Sequence, residues 1–330
     1  MKKICIIIPY FVYFGRWPRW FKIYLETCKY NPTINWLFYT DCGKPKNSPN
    51  NVSFTAATIK DFNLLASRKI GLKINIKNPY KLHDFRPAYG IIFEDYLRDY
   101  DFWGYSDVDL IYGDMRKFIT EGVLANYNII TSRREYMVGH FTLFKNASEI
   151  NKLYEKSPDY KIVFQNQKCY GFGECNFEWD YLLSDKTELN RKSEVISMTH
   201  LIKKLSGCGD VKVFCNTIGK EDWELKKEWK VHWNQGKLID ISSGEEFLYF
   251  HFIKLKHNKK FLISNWHKIP DNFFITKNGI FHNREIRGVE KLLKISQNYL
   301  RIEVEPLIGR FGKFLRWIFL GIYYKLKGQK

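Results

Sequence analysis

Tyr100-Asp101-Phe102-Trp103-Gly104-Tyr105-Ser106-Asp107-Val108-Asp109 is the stretch on which the fold reading turns. Residues 101–106 are short, aromatic and almost free of charge, so they read as a buried strand. Two carboxylates one residue apart follow directly. In an open α/β sheet, ligands bind at the carboxyl edge of the strands, so Asp107 and Asp109 stand where chemistry is expected. On a turning backbone the two can converge on one hard cation, with phosphate oxygens and water completing its shell. The alternative is a solvated Asp-rich turn.

Working outward, Lys3 to Ile8 is nearly continuously apolar, as a central parallel strand covered on both faces must be. Pro18 suits the first turn of a helix reaching about Tyr30. Trp36 to Thr40 is a second strand, and Lys44 to Asn51 a polar loop. Thr58 caps a helix that stops at Gly71. Another helix is expected to open at Asp84 and run past Tyr89, Ile92 and Tyr96. Alternating strands and helices define an α/β fold built on a mostly parallel central sheet flanked by helices. Further on, Gly139 to Phe144 and Phe247 to Ile253 read as strands and Cys169 to Gly173 as a loop. Asn278-Gly279 marks a hairpin turn, and Arg287 to Leu300 a helix. No linker divides the chain cleanly. The expected organisation is a catalytic domain over 1–260 and a C-terminal helical appendage over 261–330.

The chain has 330 residues, 45% of them hydrophobic and 17% aromatic, which excludes a disordered chain. Its 53 basic and 35 acidic residues leave a formal charge of +18, favouring an anionic partner: nucleic acid, an acidic membrane face or a phosphorylated substrate. No RNA-binding signature or zinc-finger spacing occurs, and the basic residues are spread along the chain. A nucleic-acid-binding protein is therefore the second reading and a peripheral membrane scaffold the third. The seven cysteines are odd in number, contain no CxxC and read as reduced thiols of a cytoplasmic protein. No apolar run approaches the ~20 residues of a membrane span. Residues 309–330 carry basic and aromatic side chains but no acid. They suit either a helix lying on an anionic membrane surface or one docked on the domain.

Several motifs together resemble a known family. Ile6-Ile7-Ile8-Pro9-Tyr10-Phe11, Pro79-Tyr80-Lys81-Leu82, Asp84-Phe85-Arg86-Pro87-Ala88-Tyr89-Gly90, the Asp107-Val108-Asp109 triplet and Gly139-His140-Phe141-Thr142-Leu143 follow one another as in the DxD glycosyltransferases of the GT-A fold. The group resembled is a bacterial one linked to capsule and lipopolysaccharide synthesis, and the likeness extends over about residues 3–255. A phosphatase of the haloacid dehalogenase type also carries two aspartates after a strand. It wants Thr or Val where Ile111 stands.

The resemblance implies transfer of a sugar from a nucleotide-sugar, most simply a UDP-sugar, assisted by Mn²⁺ or Mg²⁺. The acceptor would be a glycan or lipid-linked glycan at the inner face of the cytoplasmic membrane. No nucleic-acid partner is implied. Asp107 and Asp109 are the metal ligands so implied, with His251 of Tyr249-Phe250-His251-Phe252 as the third. Lys254 would meet the diphosphate, Arg86 would clamp a phosphate, and Asp84 would orient Arg86 or touch the nucleotide. Tyr10 and Phe11 end the first strand, where the base is cradled, and are equally suited to a core. Glu178 and Asp180, from the cluster that also holds Glu174, are the candidate general bases. Trp179 between them could stack on a sugar. An ordinary helix face is the alternative for that cluster.

Overall fold

The computed structural model describes residues 1–11, 15–184, 193–216, 218–225, 229–264, 266–282 and 293–296. A seven-stranded sheet forms its centre, in the order β3-β2-β1-β4-β7-β6-β8. Its strands are β1 (Ile4–Tyr10), β2 (Ile34–Thr40), β3 (Val52–Ala56), β4 (Phe102–Ser106), β6 (Ile129–Thr131), β7 (Phe141–Lys145) and β8 (Val213–Phe214). Neighbours pair in parallel except at β7, which runs antiparallel to both β4 and β6. The sheet is thus mostly parallel with one strand reversed.

Because successive side chains of a strand face opposite ways, β1 feeds two cores. Ile4, Ile6 and Ile8 join Phe21, Tyr24, Leu25 and Cys28 of α1 (Phe21–Lys29) on one face. Cys5 and Ile7 join Phe62 and Ala66 of α2 (Ile59–Ile70), together with Leu82 and Phe85, on the other. This double coverage is why β1 is apolar throughout. Helix α2 has the ends expected of it. Thr58 and Asp61 form a reciprocal capping box, and Gly71 closes the helix in the left-handed conformation at φ 76°. All seven cysteines are free thiols.

The helix expected to open at Asp84 begins earlier and is broken. Asn78 caps a 3-10 helix, Pro79–Ala88, with Pro79 in its first turn; a single α-turn, Tyr89–Ile92, and a 3-10 turn, Glu94–Tyr96, follow. Pro87 lies inside the 3-10 helix, where it cannot donate a backbone hydrogen bond. Asp84 therefore sits mid-helix, not at a helix start.

Two smaller sheets complete the described fold. One has three strands in the order β5-β12-β9: β5 (Leu110–Tyr112), β9 (Gly219–Glu221) and β12 (Tyr249–His251). The other orders β11-β10-β14-β15-β13, from β10 (Lys230–Asn234), β11 (Lys237–Asp240), β13 (Leu262–Ile263), β14 (Asn272–Thr276) and β15 (Gly279–Phe281). Val231, Trp233, Phe273, Ile275 and Ile280 share a core with Ile23 of α1, Ile111 of β5 and Phe250 of β12, and Trp233 donates its indole N–H to the Tyr112 carbonyl. A β14–β15 hairpin is present where Asn278-Gly279 marks one, but its turn is residues 277–278, one residue earlier, with Gly279 already paired to Thr276. This sheet draws strands from both sides of residue 260, so the expected division between domains runs through it. The expected helix over 287–300 lies outside the described residues apart from 293–296, which are helical. The basic aromatic tail, 309–330, lies wholly outside them. Among the described residues no helix is long and apolar enough to cross a membrane.

Candidate functional site

Strand β4 ends at Ser106, and the chain then turns through Asp107-Val108-Asp109 into β5. Three hydrogen bonds fix this turn from outside. Asp107 N–H donates to the His140 carbonyl at 3.0 Å, the Trp20 indole to the Val108 carbonyl at 2.9 Å, and Phe252 N–H to the Asp109 carbonyl at 3.3 Å. The carboxylates are thereby held on rigid backbone. Asp107 stands at the mouth with a quarter of its side chain exposed, while Asp109 is 3% exposed on the floor.

The three-stranded sheet supplies the opposite wall. Its register sets His251 beside Leu110 on one side and Glu221 on the other. The His251 imidazole lies between two carboxylates, Nε2 3.2 Å from Asp109 and Nδ1 3.2 Å from Glu221. One potential ligand atom from each of Asp107, Asp109 and His251 falls within 4.8 Å of the others. Two carboxylates and an imidazole at that spacing fit a six-coordinate divalent cation, the imidazole favouring Mn²⁺ over Mg²⁺.

Two cations cap the carboxylates. Arg86 forms an ion pair with Asp107, and its guanidinium lies 5.4 Å from the centre of the Tyr105 ring. Lys256 Nζ lies 2.6 Å from Asp109 Oδ2. Burial is the largest single influence and pushes both carboxyls up, but Arg86 together with His83 and His251 more than offsets it for Asp107, and His251 with Lys256 does so for Asp109, so both sit below the ordinary range. Burial would lower His251; Asp109 and Glu221 overcome it and hold the imidazole up at about 10. His140, whose ring centre is 4.3 Å from that of His251, is instead pushed down to about 3, chiefly by burial and then by His251. The two rings are tilted 36° to each other, and their surroundings favour the charged form only for His251.

Asp107, Asp109, Arg86 and Lys256 open on a cleft of about 460 Å³ between the ends of β1 and β4, whereas His251 is buried and does not line it. Tyr10, Phe11, Tyr80, His83, Arg86, Asp107, Asp109 and Lys256 all line it. Tyr10 stacks on Trp17 at 5.2 Å, and Phe11 is mostly core, packed on Tyr39 and Phe62.

Other expected residues lie elsewhere. Asp84 is wholly buried and does not line the cleft. It takes the Lys81 ammonium at 2.7 Å and the amides of Tyr170 and Phe172 at 2.9 and 2.8 Å. Its work is to pin the Cys169–Phe172 loop to the helix that carries Arg86. Lys254 is exposed; its backbone N–H, with that of Leu255, donates to Asp222, an anchor that presents Lys256 to the cleft instead. Glu178 faces Ser193 at 3.2 Å and His200 at 3.9 Å, and Asp180 is exposed; neither lines the cleft. Glu174 is the member of that acidic cluster brought toward Arg86. Its Oε1 accepts the Gly139 N–H at 2.9 Å, and burial raises its carboxyl. A Cβ at Gly139 would lie 2.7 Å from Arg86 Nη1 and 3.0 Å from Glu174 Cδ, so any larger residue there displaces the ends of those two side chains. His140 donates to or accepts from the Tyr249 hydroxyl at 2.7 Å, and the Thr142 hydroxyl donates to the Val138 carbonyl; both are buried.

Sequence reasoning missed Glu221, and with it Arg133, which donates to Glu221 Oε1 from Nη2 at 3.0 Å and Nε at 3.3 Å and also pairs with Glu224. No spacing signal marks them, since only the pairing of β9 with β12 brings Glu221 to His251. Tyr80 and His83 carried a weak signal as neighbours of Arg86.

Fold and site together define an α/β protein with a candidate metal and anion cleft at the carboxyl edge of its sheet. The model of a family of unknown function, DUF6625, matches residues 6–284, and the chain belongs to that family. No curated protein matches it. Among solved structures, the chain is similar to the galactosyltransferase LgtC in complex with donor and acceptor sugar analogues. That match has 15% identity over 50% of this chain and 66% of that one, with a TM-score of 0.31. An active-site mutant of LgtC matches at 11% identity over 67% and 75% of the two chains, with a TM-score of 0.32. The chain thus spans about two thirds of the first of these structures.

Proposed function

We propose that this protein is a metal-dependent glycosyltransferase that moves a sugar from a nucleotide-sugar to a glycan acceptor of bacterial surface-polysaccharide or lipopolysaccharide synthesis. The observation that carries the reading is the convergence of Asp107, Asp109 and His251 within 4.8 Å, with Asp107, Asp109, Arg86 and Lys256 lining one cleft at the sheet edge and His251 buried against Asp109. A Mn²⁺ or Mg²⁺ ion held there would neutralise charge developing on a departing diphosphate. Arg86 and Lys256, now spent on the two aspartates, would present their N–H groups to the phosphates once those carboxylates are engaged elsewhere. Trp20 and Phe252, through their bonds to the Asp107–Asp109 turn, keep the carboxylates in place without reorganisation. Tyr10 and Tyr80 offer aromatic faces at the mouth for a nucleobase. Glu174, close to Arg86 and with its carboxyl raised by burial, joins Glu178 and Asp180 as a candidate to receive an acceptor proton, although none of the three lines the cleft.

The test is thermal stabilisation by a panel of UDP-, GDP- and CMP-sugars with and without Mn²⁺, since a ligand that binds only the folded state raises its stability. One donor is expected to stabilise the protein in a Mn²⁺-dependent way, and Asp109→Ala to abolish that dependence while the apo protein stays folded. Full manganese-assisted donor binding by the mutant would sink the proposal. Salt-sensitive oligonucleotide binding without donor turnover would favour the nucleic-acid reading instead.

A further inference from the structure

We infer that Glu221 is the positioning residue of this site, holding the His251 ring so that Nε2 faces the cation position beside Asp109. The inference rests on reading Asp107, Asp109 and His251 as cation ligands. Glu221 Oε2 stands 3.2 Å from Nδ1, so it accepts the proton on that nitrogen and leaves Nε2, 3.2 Å from Asp109, as the ligating atom. A metal-bound imidazole characteristically donates its other N–H to a carboxylate, which sets the ring's orientation. Glu221 is itself immobilised. Its Oε1 accepts two N–H groups of Arg133, whose guanidinium also pairs with Glu224 and lies 5.7 Å from the Tyr136 ring centre and 5.1 Å from that of Trp223. The run Asp109, His251, Glu221, Arg133 is continuously buried.

A competing arrangement makes Glu221 a ligand, because His140, Glu221 and His251 also offer ligand atoms within 4.8 Å of one another. Hydrogen bonding argues against it. Both Glu221 oxygens are engaged by cationic donors, and His140 Nε2 is bonded to the Tyr249 hydroxyl at 2.7 Å. That hydroxyl also bonds Ser132. The Asp107–Asp109 side, by contrast, opens on the cleft.

The experiment is Mn²⁺ titration of the full chain in the presence of UDP, followed by electron paramagnetic resonance, with spin-echo detection of ¹⁴N coupling from a ligating imidazole. Glu221→Ala is expected to weaken Mn²⁺ binding about 10- to 100-fold and to remove the ¹⁴N coupling. Glu221→Gln, whose amide oxygen still accepts from Nδ1, is expected to restore both. Should the alanine variant fail to fold, Glu221→Asp keeps a charge beside Arg133 but withdraws the acceptor from Nδ1, and is expected to show the same losses. Unchanged affinity and coupling in Glu221→Ala or Glu221→Asp would overturn the inference. So would a glutamine variant as weak as alanine, which would make Glu221 a ligand. A wild-type protein with no saturable Mn²⁺ site removes the cation reading, and this inference with it.

Discussion

Substituting Asp84 separates a structural carboxylate from a substrate-binding one. Lys81 is 1% exposed and Asp84 fully buried, with 2.7 Å between ammonium and carboxylate. In Asp84→Ala the ammonium keeps one hydrogen bond, to the Lys168 carbonyl at 2.5 Å, but loses its counter-charge. Breaking a buried pair from one side costs about 3–5 kcal/mol. The Tyr170 and Phe172 amides also lose their acceptor, adding roughly 1–3 kcal/mol for each that finds no water. With one of the two amides left unpaired the loss is at least about 4 kcal/mol, a large share of the roughly 5–15 kcal/mol that keeps a domain folded. With an unfolding entropy near 2.1 cal/mol/K per residue over 330 residues, this lowers Tm by about 6 °C. Urea denaturation followed by tryptophan fluorescence and circular dichroism measures it. Lys81→Met combined with Asp84→Leu removes both charges, and is expected to recover part of the loss. An Asp84→Ala protein within about 1 kcal/mol of wild type, yet unable to bind donor, would refute the structural assignment and return Asp84 to the nucleotide.

Four further outcomes are expected. The His251 imidazole is held up at about 10 and must lose its Nε2 proton to ligate a metal; affinity for Mn²⁺ alone should therefore rise about tenfold per pH unit from pH 6.5 to 9, by calorimetry, and a flat profile would exclude His251 as a ligand. The same raised value means that its contribution to metal-free stability is full below pH ~6.5 and is lost as pH climbs through about 10. Gly139→Ala sets a Cβ against Arg86 and Glu174, and should cost about 1–3 kcal/mol and weaken UDP binding; chemical denaturation with UDP titration tests both. Thr58→Ala removes the reciprocal cap of α2 and should lower stability by about 1 kcal/mol with donor binding unchanged, and lost binding would mean that α2 supports the cleft more directly.

The parts of the fold readable in advance are those dictated by neighbouring residues. The apolar run of β1, the Thr58 and Gly71 ends of α2 and the hairpin before Gly279 are local patterns, and each is met in the structure. The 3-10 helix from Pro79 was misjudged because Asp84 resembles a cap, whereas tertiary contacts with Lys81 and the Tyr170–Phe172 backbone decide its place. Of the three-stranded sheet only β12 was legible, because its pairing joins it to β5, more than a hundred residues away, and to the three-residue β9. The candidate site divides in the same way. Asp107 and Asp109 are announced by the strand before them. Glu221 is defined only by register, and the exchange of Lys254 for Lys256 only by the turn that Asp222 anchors.

The reversal of β7 bears on how this protein tolerates change. In a wholly parallel sheet, every segment entering a strand lies at the rim opposite the binding edge, and lengthening it leaves ligands untouched. Here the entry to β7, with Gly139 and His140, arrives at the same rim where β4 releases Asp107. Insertions between 132 and 140 would therefore remodel the binding edge itself, whereas insertions between β3 and α2, held by the Thr58 cap, would meet only its flank.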